Sequence, residues 1–454
     1  MTADAPPIPH APGRLPVVGH LLPMLRDRLE FIQRLRRHGD VVQIGFGPKP
    51  VFVVNSPELI WEILTAQHAN FGKGRLFEKL RLFGGSPLPV TEGGPQHLQR
   101  RRLMQPAFHR ERINSYIDRM ITTAETTLQT WEHGARLDVQ NEVQLMTQGV
   151  VLSALLSSDL DRTPAQAVMH GVDTLFQAAI RRAVTPVSGW EKLPLPGTRK
   201  VKAANTLLRK TVSDIVAAHR ADPERPDDLV SLLLDARDEE GRPLDEEEIL
   251  SEITGLLAAG TETSAVTMAW LFHELGRNPG IEEQLHQEVD TVLAGGRLTA
   301  EHLPQLVLTR RLVTETLRLH NPAWIVTRRA NVPVRLGSAH LPAGADLVWS
   351  PYALHRDPEL YPDPLRFDPD RWLPERPQPR RGAYIPFGAG NRMCIGDGFT
   401  WAETTVLTAL IASRWTLRHA PGATVRPVPA ITVHPSALHM IAETRGHAAA
   451  REAA

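Results

Sequence analysis

The chain has 454 residues, with 51 basic side chains against 51 acidic ones and a single cysteine. Balanced charge gives no global attraction to nucleic acid or to an anionic membrane, and one thiol can build neither a disulfide framework nor an iron–sulfur cluster. The length admits several domains or one large core, so organisation has to be read along the chain.

The N-terminus MTADAPPIPHAPGR has no basic-then-apolar leader. The apolar run from Leu15 to Leu25 is broken by Pro16, Gly19, His20 and Pro23 and falls short of the ~20 residues of a membrane span. A cytoplasmic protein without a transmembrane anchor is expected, with residues 1–14 as a flexible Pro-rich arm and 445–454 as an Ala-rich tail. Apolar positions at Leu29, Phe31, Ile32 and Leu35 predict a helix ended by Gly39. Val41–Phe46 and Val51–Val54 read as a β-hairpin, followed by a helix from Pro57. The GFGPKP between those runs lacks the third glycine and helix start of a nucleotide loop. From Ala69 to Pro95 runs a long connection carrying Phe71, Phe77 and Phe83; an apolar connection of that length suggests a lid over a greasy ligand.

In the helix around GGPQHLQRRRLMQPAF, His97 and Arg101 share one face, while Arg102 reads as solvated. Helical segments follow from about Arg110 to Arg237, broken by Pro164, Pro186, Pro194 and Pro196, with Phe176 and Trp190 as undecided lining or core. The longest periodic pattern runs from Asp245 to Arg277. Asp245 can cap it, Glu246 to Glu248 suit its positive end and Pro279 stops it, giving a helix close to 50 Å long at ~1.5 Å per residue. It is apolar nearly all round, so Glu262 and Thr263 in its middle are a buried acid and hydroxyl that need partners. His273-Glu274 lacks the second histidine of a zinc motif and reads as surface. Pro304–Leu319 predicts another helix, holding Glu315 and Arg318 at ion-pair spacing. Alternating apolar runs in 334–351 and 430–443 predict strands.

Cys394 could be a small buried hydrophobe, a nucleophile or a ligand. Its surroundings favour the last: Phe387, Gly390, Arg392 and Gly396 stand in F-x-x-G-x-R-x-C-x-G, a coincidence of roughly 10⁻⁵ from the composition alone. Gly390 and Gly396 would let backbone turn tightly against a flat cofactor, and a helix starting at Gly396 would favour the thiolate. This segment resembles the haem-ligand loop of the cytochromes P450, whose cysteine thiolate is the proximal iron ligand. AGTETS, residues 259–264, resembles the oxygen-activation signature of the same family, and Glu315-x-x-Arg318, then Arg371 in FDPDRW, then the cysteine loop keep the family's order.

The resemblance covers nearly the whole chain as one domain, 1–454, and implies the mainly α P450 fold with small β-sheets, haem b lying between the long helix and the cysteine loop. It implies Cys394 as metal ligand and Glu262 and Thr263 as catalytic proton-delivery residues, with Gly260 letting the helix widen. Cofactor contacts would come from His97, Arg101, Arg328, His355, Phe387, Gly388, Arg392, Gly396, Ala259 and Gly260; Arg329 is the rival of Arg328. Glu315, Arg318 and Arg371 would form a structural triad. Leu256, Leu257, Ala258, Phe83, Trp324, Ile325, Val326 and Ile431 would line the substrate pocket. The implied reaction is insertion of one oxygen atom from O2 into a C–H bond of a lipophilic molecule, with electrons from ferredoxin and ferredoxin reductase and ultimately NAD(P)H. Arg100, Arg102, Arg380 and Arg381 are candidates for the docking face. Within the family the likeness is to actinobacterial sesquiterpene oxidases of the pentalenene and epi-isozizaene type, which implies a cyclic sesquiterpene in terpenoid antibiotic biosynthesis. Rival readings are a fatty-acid or macrolide/steroid hydroxylase, for which Lys73 or Arg75 would anchor a carboxylate, and a haem sensor without turnover.

Overall fold

A capping box opens the longest element. Asp245 accepts from the Glu248 backbone N–H at 2.7 Å while Glu248 accepts from that of Asp245 at 3.1 Å, so Glu246–Arg277 starts where the acidic turn predicts. Its 32 residues cross the molecule and carry the main core, which also takes in the helices Arg110–Leu128, Val139–Leu156, Val307–Leu319 and Asp397–Arg414. In this computed structural model residues 7–445 are described, except 47–48, 75–76, 78–86, most of 158–195, and 239. Phe83, Arg75, Phe176, Trp190 and the stretch 185–195 therefore lie outside the described residues, as do the chain's first six and last nine.

Strands gather beside the helical body. The predicted hairpin is present, Val41–Phe46 antiparallel to Lys49–Val54, and extends into a five-stranded sheet whose next strand, Asp346–Trp349, pairs in parallel with the second. That strand pairs in turn with Val326–Ala330, and Phe71–Gly72 closes the far edge, so the backbone around Arg328 and the start of the 69–95 connection are held side by side. Smaller sheets use Val334–Leu336 with Ala339–Leu341, Pro427–Pro429 with Val433–Pro435, and Arg136–Asp138 with His439–Thr444 and Trp415–His419. The fold is mainly α with small β-sheets.

Three local expectations change. Pro304 lies inside a short 3₁₀ turn, Ala300–Gln305, and the following helix starts only at Val307. The long helix stays regular through Gly260, where an added Cβ would meet Val151 at an ordinary 3.6 Å; neither widening nor a steric need for glycine is present. His273 and Glu274 are buried rather than on the surface: the Glu274 carboxylate is 2.7 Å from His320 Nε2 and His273 is 2.9 Å from His419. The helix periodicity turns that end of the long helix toward Trp415–His419, which a reading of neighbours in sequence does not reveal.

Candidate active site

Cys394 sits just ahead of the helix Asp397–Arg414, and its loop is fastened on both sides. Its own N–H donates to the Phe387 carbonyl at 2.9 Å, and Arg101, reaching over from Pro95–Met104, donates to the Met393 carbonyl at 2.6 Å. Gly390 is required by geometry: its φ is +69° and a Cβ there would lie 2.0 Å from the Leu64 carbonyl oxygen. The close approach is thus to a neighbouring helix rather than to a cofactor. Gly396 has an ordinary φ and 3.7 Å of clearance, so its contribution is its N–H, which hydrogen-bonds the Cys394 sulfur. Gly388, at φ +72°, has no atom within 4 Å of where a Cβ would stand. Phe387 packs edge-on to Trp401 at 5.9 Å beside the sulfur loop.

Protein encloses Cys394, yet its side chain is exposed, which means that it faces an internal space. On the long helix Ala259 is exposed between the half-buried Ala258 and Gly260. The helix packs on Asp397–Arg414 through Thr408, whose hydroxyl contacts the Met268 sulfur at 3.7 Å, and through Ser264 facing Glu403. Burial pushes the Cys394 thiol upward, aided by Asp397; the Gly396 N–H, Arg101 and Lys73 pull the other way and do not prevail. The expected helix-end stabilisation of the thiolate is outweighed by desolvation, and a bound metal ion is what would deprotonate such a thiol outright.

Around this space stands a group of cations with too few anions. His97 is buried and held down to about 4 by desolvation, then by Arg392, Lys73, Arg101 and Arg328. Arg328 is lowered to about 9 by burial and by Arg392, with Glu92 as the opposing carboxylate. Lys73 falls well below its ordinary value through burial, Arg328 and Arg392. Arg392 has both terminal nitrogens buried without a partner, pressed so close to Gly93 that a Cβ there would lie 2.3 Å from one of them. Mutually repelling buried cations with orphaned N–H groups call for anions beyond those that the described residues supply. Two carboxylates on the edge of a flat ring, with a soft sulfur ligand at its centre, match that demand, so the residues fit haem. Arg329 is paired with Asp346 at 3.0 Å, which leaves Arg328 for the cradle. Lys73 is the member of the cradle that the sequence does not reveal: on the long connection it reads as a substrate anchor, because nothing local links it to Arg392.

His355 keeps other company. Its Nε2 accepts from the Ile385 N–H at 3.1 Å and its ring lies against the backbone of Leu317 and Arg318, so burial and the neighbouring Arg318 and Arg356 lower it to about 3. It joins the triad region rather than the cradle. There Glu315 and Arg318 are fully buried and bonded bidentately at 2.8 Å twice, with Arg371 3.5 Å from the same carboxylate. Trp372 and the Asp368 N–H fill the remaining acceptor sites on Glu315, and Arg318 spans to the carbonyls of His355, Pro364 and Arg366.

On the pocket side Thr263 donates to the Ala259 carbonyl at 2.9 Å and Glu262 accepts from Thr432 at 2.7 Å, a partner absent from the sequence reading. Ile325, Val326, Ala258 and Ile431 are half-buried. Leu256 and Leu257 belong to the main core, and Trp324 turns away to donate to the Ala430 carbonyl at 3.0 Å, packing with Leu29, Tyr352 and Val433. Those three are taken up by the protein's own packing. Pro87 and Leu88 lie on the long helix, where Gly255 leaves room for the proline and Glu252 accepts from the Leu88 N–H at 2.8 Å. Glu252 also binds Arg100 at 2.5 Å, so Arg100 is withdrawn from any docking face; Arg380 pairs with Glu58, and Arg102 and Arg381 are exposed.

The cytochrome P450 family model matches residues 9–440. The chain belongs to the cytochrome P450 family: it is a monooxygenase and its cofactor is haem b. Among curated proteins it is 39% identical over 452 residues to cyclooctatin synthase of Streptomyces melanosporofaciens, 98% of each chain. It is 38% identical over 437 residues to cyclooctat-9-en-7-ol 5-monooxygenase of the same species, covering 96% of this chain and 95% of that one. With pentalenene oxygenase of Streptomyces avermitilis it shares 40% over 433 residues, 95% and 96% of the two chains. No helix among the described residues is long and apolar enough to cross a membrane.

Proposed function

We propose that this monooxygenase hydroxylates a cyclic terpene, a sesquiterpene first of all, in terpenoid antibiotic biosynthesis in the cytoplasm. The observation that carries the reading is the contrast in polarity around the pocket. Ala258, Ile325, Val326 and Ile431 offer apolar contact, while the nearby cations belong to the cradle. Lys73 in particular sits in the field of Arg328 and Arg392, where haem carboxylates would claim it, which takes away one of the two anchors that a fatty acid would use; the other, Arg75, lies outside the described residues. The names of the three relatives point the same way and widen the ring systems to test beyond sesquiterpenes.

Haem b, when bound, supplies the activation of O2 and the insertion of one oxygen atom into a C–H bond. The chain's part is to hold and feed that group. Cys394 would be its sulfur ligand, steadied by the Gly396 N–H and by Arg101 on the adjacent carbonyl. His97, Arg328, Arg392 and Lys73 would hold its carboxylates. Glu262 and Thr263 would serve proton delivery: the Thr263 hydroxyl donates its hydrogen bond to the Ala259 carbonyl, so its lone pairs are left to accept a hydrogen bond and hold a proton-carrying water at the pocket, while the Glu262 carboxyl is the group that can take up and release a proton. Electrons would come from a ferredoxin and its NAD(P)H-dependent reductase, with Arg102 and Arg381 in the docking area.

The test is mass spectrometry of products from purified holoprotein with a surrogate ferredoxin pair and a panel of cyclic sesquiterpene and diterpene hydrocarbons, fatty acids and steroids. Hydroxylated terpenes are the expected products, preceded by a substrate-induced shift of the haem Soret band. Shifts and products with fatty acids or steroids alone would overturn the substrate class.

A further inference from the structure

The turn at 430–433 is fastened from several directions. The Ala430 N–H closes it on the Thr432 carbonyl at 2.8 Å, and the Val433 N–H donates to the Pro322 carbonyl at 3.2 Å. Trp270, from the long helix, donates to the Val433 carbonyl at 2.7 Å, and Trp324 donates to that of Ala430 at 3.0 Å. The Trp324 carbonyl is itself held by Ser350 at 2.5 Å, and Trp270 is stacked on His320 with centroids 4.1 Å apart. Thr432 is therefore delivered by a braced backbone. Its side chain is buried, 4% exposed, and its hydroxyl donates to Glu262 Oε1 at 2.7 Å.

We infer that Thr432 is a positioning residue for proton delivery by Glu262, fixing the carboxylate while tying it to the turn that presents Ile431 to the substrate. The inference rests on the proposed role of Glu262. A glutamate side chain has three rotatable bonds, and an acid that must pass protons in one direction benefits from a donor that removes the unproductive orientations before turnover begins. A neutral hydroxyl does this without supplying a countercharge that would resist protonation of the acid. Because the donor and Ile431 are adjacent in a braced turn, a substrate pressing on Ile431 is felt at the acid. Thr432 lies 170 residues from Glu262, which is why no reading of the oxygen-activation motif alone reaches it.

The test compares parent, Thr432→Val, Thr432→Ser, Glu262→Gln and the Thr432→Val/Glu262→Gln double variant as holoproteins with the surrogate ferredoxin pair. The probe is pentalenene, or the panel hydrocarbon that the parent turns over fastest. Three quantities are read: product formed per NAD(P)H oxidised, the solvent isotope effect on kcat, and hydrocarbon affinity from the Soret shift. Thr432→Val is expected to lower the product ratio roughly tenfold and raise the isotope effect, with affinity within about twofold of the parent. Thr432→Ser should restore the ratio, and the double variant should be no worse than Glu262→Gln, as expected of two groups acting as one. If Thr432→Val fails to take up haem, Thr432→Ala against Thr432→Ser makes the same contrast. A normal ratio in Thr432→Val beside a reduced one in Glu262→Gln overturns the inference and leaves the role of Glu262 standing. Multiplying effects in the double variant, or a change confined to affinity, also overturn it. An unaffected Glu262→Gln removes both readings.

Discussion

Two arginine-rich regions lie within this molecule, and they are built on opposite principles. In the triad, Glu315 takes Arg318, Arg371, Trp372 and the Asp368 N–H, and Arg318 spends its remaining N–H groups on three carbonyls. In the cradle, burial and Arg392 depress Arg328, and burial with both arginines depresses Lys73 and His97, with Glu92 as the facing carboxylate and two Arg392 nitrogens left bare. A cluster gathered round its own carboxylate fixes the chain; one with an excess of positive charge awaits a ligand of the other sign.

The largest effect is expected at the triad. Glu315→Gln leaves two arginines facing an amide in a fully buried site and should cost on the order of 3–5 kcal/mol, seen as loss of soluble holoprotein or a collapsed urea midpoint. Arg392→Ala should act in the reverse sense. The apoprotein keeps or gains thermal stability because a repelling charge is gone, while haem transfers to a competing apoglobin about 10–100 times more readily, the equivalent of one charged hydrogen bond of ~1.5–3 kcal/mol. A destabilised apoprotein with unchanged haem retention would put Arg392 among the structural arginines.

The smallest effect is a dependence on pH. His97 is at about 4 in the folded chain against 6.5 ordinarily, so between those values the unfolded chain binds the extra proton and stability falls as pH drops. Carboxylates entering the cradle would offset the cations that help to depress His97, so the loss should be steeper in apoprotein than in holoprotein. His273, His286 and His320, also at about 4, and His355, at about 3, add the same slope to both forms and drop out of the difference. Urea midpoints of both forms at pH 7 and pH 5 measure it; equal slopes would detach His97 from the ligand.

Features written in contiguous residues were legible: the long helix with its cap, the hairpin, the order of triad segments and the cysteine loop. Features that depend on distant partners were not. Arg100 looks solvated until Glu252 is brought to it across 152 residues, Lys73 looks like a loop lysine until Arg328 and Arg392 surround it, and Trp324 looks like pocket lining until the 430–433 turn captures its indole. Glu403 is the sharpest case. It reads as an ordinary helix acid, yet it is fully buried with neither oxygen closing a hydrogen bond, Ser264 facing it, and burial lifts it to about 8.

The central claim is that the sulfur of Cys394 meets the iron of a haem whose carboxylates lie among His97, Lys73, Arg328 and Arg392. Its most direct test is the absorption spectrum of the reduced carbon monoxide complex in the parent and in Cys394→Ser. The parent should show the strongly red-shifted Soret band of thiolate ligation, and the serine variant should lose that band while still retaining haem in the cradle. A parent band at the position typical of histidine ligation, or a red-shifted band that survives in Cys394→Ser, would contradict the account.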